Sequence, residues 1–264
     1  MVLPTLDSQR ERCDGRIEGP SEAPVLVLSN SLGTNRALWD AQMPALTARY
    51  RVLRYDTRGH GSSPVTTGPY SIAMLASDVL LLLDALKIER AHFCGLSLGG
   101  MTGMWLGIHA AARIDRLVLA NTAPRIGAAA IWNARIDAVR KGGMQAIAET
   151  VLERWFTAAF RASAPEAVGR VGSMLAATPP EGYAACCAAI RDADLWPGIA
   201  NIRAPALVIA GTHDAATPPA DGRKMAEQIA HARYVELDAA HISNVEAAAR
   251  FGAELIAFLA EGDA

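Results

Sequence analysis

The sequence predicts an α/β domain in which a mostly parallel sheet is covered by helices on both faces. Two observations support this prediction. Short apolar runs alternate along the chain with longer segments of helical periodicity, which is the pattern of strand–helix–strand units. The chain also has 264 residues, 51% of them hydrophobic, which is enough for one large core.

Six short runs are the predicted strands. Several of them are continuously apolar, as expected of strands that are buried on both faces. Because helical segments separate most of them, parallel pairing is expected. The predicted strands are 25–28, 51–56, 91–94, 116–120, 206–211 and 233–237.

Two signals predict where helices begin. Ser71 is placed to cap a helix that continues to Lys87 and carries apolar residues along one broad face. Ser243 and Glu246 have the spacing of a capping box, in which each side chain accepts a hydrogen bond from the other residue's backbone N–H. This pair therefore predicts the start of the last helix.

The segment 125–195 departs from the alternating pattern. It contains no predicted strand, is rich in alanine and carries large aromatic residues such as Trp132, Trp155 and Phe156. We interpret it as a helical cap inserted into a core formed by residues 1–124 and 196–264. The alternative, that these helices are simply part of the core, is left open by the sequence.

Composition and charge exclude several classes of function. The net charge is −2 without a cluster of basic residues, so we expect no nucleic-acid partner. The first residues lack the pattern of a secretory signal, and no apolar run is long enough to cross a bilayer. The four cysteines form no C-x-x-C pair, so neither a redox pair nor a zinc site is predicted. A cytoplasmic protein is expected.

The motif with the clearest chemical meaning is G-x-S-x-G at residues 95–99. It lies between a predicted strand and a predicted helix, so Ser97 is expected at the apex of a sharp turn with its hydroxyl exposed. Gly95 and Gly99 suit such a turn because neighbouring backbones approach too closely there for a Cβ atom. The motif is also common by chance, so its meaning depends on partner residues elsewhere in the chain.

A serine nucleophile needs a base, and the base needs an orienting acid. Of the six histidines, His241 follows the last predicted strand, where a loop is expected to overhang the carboxyl ends of the strands. Asp214 follows the strand 206–211, and the order serine, acid, histidine matches this kind of turn. Asp214 could instead cap the next helix, and His60 is a weaker candidate for the base. Asn121 occupies the other usual place for the acid.

The reaction also requires donors for a developing oxyanion. We predict that the backbone N–H of Leu98, directly after the serine, is one of them. The second is expected from the loop 29–33, which follows the first predicted strand, and Leu32 N–H is our candidate.

With these residues in view, the chain resembles the 3-oxoadipate enol-lactonases of the α/β-hydrolase superfamily. The triad order identifies only the superfamily, whereas the Trp-Leu-Gly-Ile-His and Asn-Thr-Ala-Pro-Arg-Ile-Gly stretches carry the narrower resemblance. Leu98 departs from the family, which often has Met there, but only its N–H is needed. The similar segments are 30–34, 54–61, 91–97, 105–109, 120–127 and 241–246.

The resemblance implies an α/β-hydrolase fold with an eight-stranded sheet and a helical cap. It implies a serine hydrolase that opens 3-oxoadipate enol-lactone to 3-oxoadipate in the β-ketoadipate pathway of aromatic catabolism, without a metal or cofactor. Because this small substrate carries a free carboxylate, Arg125, Trp132 and Arg135 at the start of the cap are candidate substrate-binding residues.

Other functions share the same triad and stay open at this point. A general carboxylesterase or a C–C bond hydrolase would differ only in the pocket. A ligand sensor of the same fold would keep the triad and signal through movement of the cap. The sequence leaves the oligomeric state undetermined.

Overall fold

Seven strands form one sheet in the part of the chain that the structure, a computed structural model, describes: residues 13–261. The spatial order is β1-β3-β2-β4-β5-β6-β7. β1 is antiparallel to β3, and all other neighbours are parallel. The strands are β1 (Gly15–Glu18), β2 (Val25–Ser29), β3 (Arg51–Tyr55), β4 (Ala91–Leu96), β5 (Ile114–Ala120), β6 (Ala206–Gly211) and β7 (Ala232–Leu237).

The predicted fold class is confirmed, and all six predicted strands are present. Seven strands are seen among the described residues, against the eight that the resemblance implied. β1 was not predicted because it is a four-residue edge strand in which buried and exposed residues alternate. The central strand β4 is buried along its whole length, as its apolar sequence indicated.

Helices cover the sheet and continue into a long helical segment between β5 and β6. The helices are α1 (Met43–Leu46), α2 (Ile72–Ala85), α3 (Leu98–His109), α4 (Ala129–Gly142), α5 (Ala148–Trp155), α6 (Ala158–Ser163), α7 (Pro165–Ala177), α8 (Pro180–Asp192), α9 (Pro219–Gln228), α10 (Ser243–Glu246) and α11 (Ala248–Ala260). All of α4–α8 lies within the predicted cap.

One of the two predicted helix starts is correct. The Ser71 side chain accepts a hydrogen bond from Met74 N and begins α2, which ends at Ala85, slightly before the predicted Lys87. The capping box at Ser243 and Glu246 is wrong. Ser243 lies inside the short helix α10, and a break at Ala247 separates α10 from α11. Both side chains of the predicted box bind distant parts of the chain instead.

The helical segment leaves and rejoins the sheet at one place. Leu195 N donates to Pro124 O at 2.9 Å, so the two ends of the segment are in contact. Its helices also share buried apolar side chains with the rest of the molecule, including Trp132, Trp155 and Leu175. The segment therefore lies against the sheet domain and encloses space near the carboxyl ends of the strands.

Three further observations concern the expectations from composition. All four cysteines are free and buried. Within residues 13–261, every helix is too short or too polar to span a membrane. The same residues bring together no group of three or more His, Cys, Asp or Glu side chains that could hold a metal ion.

Candidate active site

Ser97 occupies a strained turn between β4 and α3. Its φ of 58° and ψ of −112° are unusual for a residue with a side chain. The flanking glycines explain how the turn is possible. A Cβ atom on Gly95 would lie 2.1 Å from Gly99 O, and one on Gly99 would lie 2.3 Å from Ser29 O. The G-x-S-x-G pattern therefore forms the predicted sharp turn, but Ser97 is only 6% exposed and faces the cavity, so the expectation of an exposed hydroxyl is wrong.

The three residues predicted to act together lie in a hydrogen-bonded row. Ser97 Oγ is 3.0 Å from His241 Nε2, and His241 Nδ1 is 2.8 Å from Asp214 Oδ2. All three side chains are buried. An imidazole protonated on Nδ1 donates to the carboxylate and presents Nε2 as the acceptor for the serine hydroxyl.

Asp214 is held as a carboxylate by several donors. Its Oδ1 accepts from Ala216 N at 2.8 Å and Thr217 N at 3.0 Å, and its Oδ2 accepts from Thr217 Oγ1 at 2.7 Å. Burial raises the pKa of Asp214, but the charge of His241 and the hydrogen bonds from His241 and Thr217 outweigh it and lower the pKa to about 2. These bonds lie in the turn before α9, and Asp214 does not cap that helix, whose N-cap residue is Pro218, so the alternative interpretation of its position is wrong.

Asn121 is a residue whose contribution the sequence reasoning missed. It was noted only as a position without an acid, yet its Nδ2 donates to Asp214 Oδ2 and to Ala240 O, each at 3.1 Å. Ser243 Oγ donates to Asn121 Oδ1 at 2.5 Å. Its place at the carboxyl end of β5, beside the strand ends that carry Ser97 and Asp214, is the signal that could have identified it.

One predicted oxyanion donor, Leu98, directly follows the serine, and the other, Leu32, lines the same cavity as Ser97. Neither Leu32 N–H nor Leu98 N–H has a hydrogen-bond acceptor among residues 13–261. The neighbouring backbone is fixed, since Gly99 N donates to Asn30 O at 3.1 Å and Gly33 N donates to His60 Nε2 at 2.9 Å. These two N–H groups are therefore available to a ligand.

His60, the weaker candidate for the base, instead holds the loop that carries Leu32, because it accepts the hydrogen bond from Gly33 N. Its Nδ1 lies 3.2 Å from Arg58 O and its Nε2 accepts from Gly33, so both ring nitrogens are engaged away from Ser97. Burial lowers the pKa of His60 to about 4. A neutral imidazole is required here because a protonated Nε2 could not accept the Gly33 N–H.

A cavity adjoins Ser97 and His241 beneath the helical segment. Trp132 and Arg135 line this cavity, and the Arg135 guanidinium lies 4.9 Å from the centre of the Trp132 ring. Arg125 does not line it. That side chain is 59% exposed and lies 3.8 Å from Asp194 in an ion pair. The structure thus brings two of the three predicted substrate-binding residues to the cavity.

Glu246 connects the loop of His241 to the helical segment. Its carboxylate accepts from Ala240 N at 2.9 Å and from both the backbone N–H and the hydroxyl of Thr157. Ile242 N donates to Trp155 O at 3.1 Å in the same region. These bonds explain why Glu246 does not form the predicted capping box.

Comparisons with known proteins agree with this geometry. A family model described as the alpha/beta hydrolase fold matches residues 24–248. The 3-oxoadipate enol-lactonase 2 of Acinetobacter baylyi is 46% identical, with 92% of this chain and 91% of the relative covered. The 3-oxoadipate enol-lactonase 1 of the same organism is 42% identical, with 89% and 88% covered. The crystal structure of an enol-lactonase from Burkholderia xenovorans is 51% identical and covers 94% of this chain and 96% of its own, with a TM-score of 0.93.

Proposed function

The chain belongs to the α/β-hydrolase fold family and, within it, to the 3-oxoadipate enol-lactonases, and from this membership we propose that it opens the ring of 3-oxoadipate enol-lactone by a serine mechanism. The observation that carries the mechanism is the row from Ser97 Oγ through His241 to Asp214, at 3.0 and 2.8 Å, beside two free backbone N–H groups. This is the arrangement that acyl transfer requires.

In the first half of the reaction, Ser97 Oγ attacks the ring carbonyl carbon while His241 Nε2 takes its proton. The carbonyl oxygen becomes an oxyanion and accepts hydrogen bonds from Leu32 N–H and Leu98 N–H. Asp214 stabilises the imidazolium that forms and does not itself take up the proton. The ring C–O bond then breaks, and His241 returns the proton to the enol oxygen.

In the second half, the released enol tautomerises to a ketone while the acyl group stays on Ser97. His241 Nε2 takes a proton from a water molecule, which attacks the acyl carbon through the same oxyanion geometry. Collapse of this intermediate returns the proton to Ser97 Oγ and releases 3-oxoadipate. Water is the only co-reactant, and the scheme needs no metal or cofactor.

We further propose that residues 125–195 act as a cap over a core of residues 1–124 and 196–264. The contact between Leu195 N and Pro124 O supports these boundaries, because it closes the segment at its base. In this proposal, Trp132 and Arg135 contact the substrate, and Arg125 is left out because its charge is paired with Asp194 outside the cavity. The partner is a small anionic lactone and not a nucleic acid or a membrane.

The setting that we propose is the cytoplasmic β-ketoadipate route of aromatic catabolism, and the similarity to 3-oxoadipate enol-lactonases supports this proposal. The free, buried cysteines are compatible with a reducing compartment.

The direct test is the loss of ultraviolet absorbance as purified protein opens the lactone, with para-nitrophenyl acetate assayed in parallel and Ser97→Ala as the control. We expect fast lactone opening that depends on Ser97, with slow ester cleavage. Good ester cleavage without lactone opening would favour the carboxylesterase alternative. Binding of the lactone with no turnover at all would favour the sensor.

A further inference from the structure

The cavity beside Ser97 carries an unbalanced positive charge. Two arginines, Arg135 and Arg154, are among its lining residues in the described part of the chain, and no Asp or Glu is. The molecule as a whole has a net charge of −2, so this local excess of positive charge is not a general property of the chain. A cavity with this lining favours an anionic ligand.

The two arginines differ in how they are held. Arg154 Nη2 donates to Ala215 O at 3.2 Å, which directs its head towards the loop after β6. Arg135 has no carboxylate partner among residues 13–261, the Trp132 ring supports it from one side, and its head lies close to the Tyr183 hydroxyl. Its guanidinium therefore has donors available, and their planar geometry suits a carboxylate.

Tyr183 is the second feature at this end of the cavity. Its side chain is fully buried and lines the cavity, yet its hydroxyl has no hydrogen-bond partner among the described residues. Its Cε2 lies 3.0 Å from the position that a Cβ on Gly33 would occupy, so the ring packs directly against the loop that carries Leu32. The ring is thus fixed in the wall of the cavity.

A buried hydroxyl without a partner is costly, so its presence calls for an explanation. Burial raises the pKa of Tyr183, which keeps the hydroxyl protonated and able to donate, while the charge of Arg135 and the contact of its guanidinium with the hydroxyl act in the opposite direction. The Arg135 head therefore lies beside Tyr183 Oη, but the two groups do not form a well-aligned hydrogen bond. An acceptor carried by a ligand would satisfy both groups at once.

We propose that Tyr183 Oη and the Arg135 guanidinium together form the subsite that binds the free carboxylate of the substrate. This inference rests on the proposed function for the identity of the lactone, but it concerns charge recognition and holds for any small anionic ester. Tyr183 donates one hydrogen bond to the carboxylate and Arg135 supplies the opposite charge. The ring carbonyl is then directed towards Ser97.

The experiment compares two esters that differ only in charge. Mono-para-nitrophenyl succinate ends in a carboxylate where para-nitrophenyl butanoate ends in a methyl group. We measure kcat and KM for both esters, and for the enol-lactone, with the wild-type protein, Tyr183→Phe and Arg135→Met. For each variant, KM for the anionic ester should rise about ten- to hundred-fold, as expected for the loss of a hydrogen bond to a charged group. KM for the neutral ester should change less than two-fold.

Two matched controls lie outside the site. Arg140→Met removes an arginine from the same helix as Arg135, where it lies 3.5 Å from Glu181 at the surface. Tyr234→Phe removes a tyrosine hydroxyl that bonds Pro219 O and Glu236, none of which lines the cavity. Both should leave KM unchanged for both esters. The melting temperature of Tyr183→Phe should equal or exceed that of the wild type, which separates a binding role from a structural one.

The outcomes are distinguishable. An unchanged KM for the anionic ester in Tyr183→Phe, or an equal rise for both esters, would overturn the subsite. If the wild type fails to open the lactone but shows the predicted difference between the esters, the proposed function fails and the subsite stands. If lactone opening is fast and the variants do not differ from the wild type, the subsite fails and the proposed function stands.

Discussion

Asn121 Nδ2 lies 3.1 Å from Asp214 Oδ2, the same carboxylate oxygen that accepts the hydrogen bond from His241 Nδ1. Asn121 has a φ of 45°, a conformation that Asn adopts more readily than most residues. Its side chain also holds Ala240 O, the carbonyl next to the proposed base. One amide therefore positions the proposed acid and the loop of the proposed base together.

We predict that Asn121→Gly lowers kcat about ten-fold, because the amide donors disappear while glycine accepts the positive φ. Asn121→Asp keeps the shape but brings a second carboxyl group beside Asp214, and two carboxyl groups at this distance cannot both ionise. Asn121→Asp should therefore lower kcat at neutral pH at least as much as Asn121→Gly. An unchanged kcat in Asn121→Gly would contradict this assignment.

His60 predicts how stability depends on pH. Its pKa is about 4 in the folded protein against 6.5 without the fold, so between these values the unfolded chain binds a proton that the folded chain does not. The free energy of unfolding should therefore fall as the pH is lowered from 6.5 to 4, by roughly 3 kcal/mol from this residue. Above pH 6.5 the residue contributes no pH dependence.

Urea unfolding at pH 7 and pH 5 measures this effect. His60→Gln is the comparison, because the Gln side chain offers an oxygen to Gly33 N–H but does not titrate. The loss of stability between the two pH values should be smaller in His60→Gln than in the wild type. An identical loss in both proteins would show that other groups cause it.

The serine turn predicts a large effect of one methyl group. Gly95→Ala would place a Cβ 2.1 Å from Gly99 O, a backbone atom that cannot move without opening the turn. We expect a destabilisation of at least about 3 kcal/mol in chemical denaturation. Gly169→Ala is the control, since nothing lies within 4 Å of its Cβ in the exposed face of α7. It should stabilise the protein by roughly 0.5–1 kcal/mol.

The contacts of Glu246 should contribute both to the stability of the protein and to its kcat. Glu246→Ala leaves the N–H groups of Ala240 and Thr157 without their acceptor, which should cost about 1–3 kcal/mol and lower kcat because His241 follows Ala240. Thr157→Val removes the hydroxyl contact with Glu246 and also the cap of α6, where Thr157 Oγ1 accepts from Phe160 N at 3.1 Å, so it should cost about 1 kcal/mol of stability but lower kcat less than Glu246→Ala. Thermal melts and kcat values measured on the same samples test the prediction. Reduced stability with an unchanged kcat would show that the contact does not position the base.

Much of the fold and of the candidate site follows from local patterns. The central strands are continuous apolar runs, and the serine turn depends on five adjacent residues. The positions of Asp214 and His241 follow from chain order, since each residue lies just after a strand. These features could be predicted because each depends on a short stretch of chain and on the rule that parallel strands end at one edge of the sheet.

The features that were missed depend on distant contacts. Ser243 and Glu246 have the local spacing of a capping box, but their side chains bind Asn121 and Thr157, more than eighty residues away. The unbonded hydroxyl of Tyr183 and the ion pair of Arg125 are likewise invisible without the packing of the helical segment. Tertiary partners decide such cases, and no local signal reveals them.

The bond from Ile242 N to Trp155 O links the helical segment to the loop that carries the proposed base. It begins one residue after His241 and ends on the last residue of α5, so separating α5 from this loop removes support from the proposed base. A molecule in which α5 has separated from this loop should therefore be inactive. The fraction of molecules in this open state lowers the fraction that can catalyse the reaction. The exchange rate of the Ile242 amide hydrogen with solvent would therefore report the fraction of molecules in which the bond from Ile242 to Trp155 is broken.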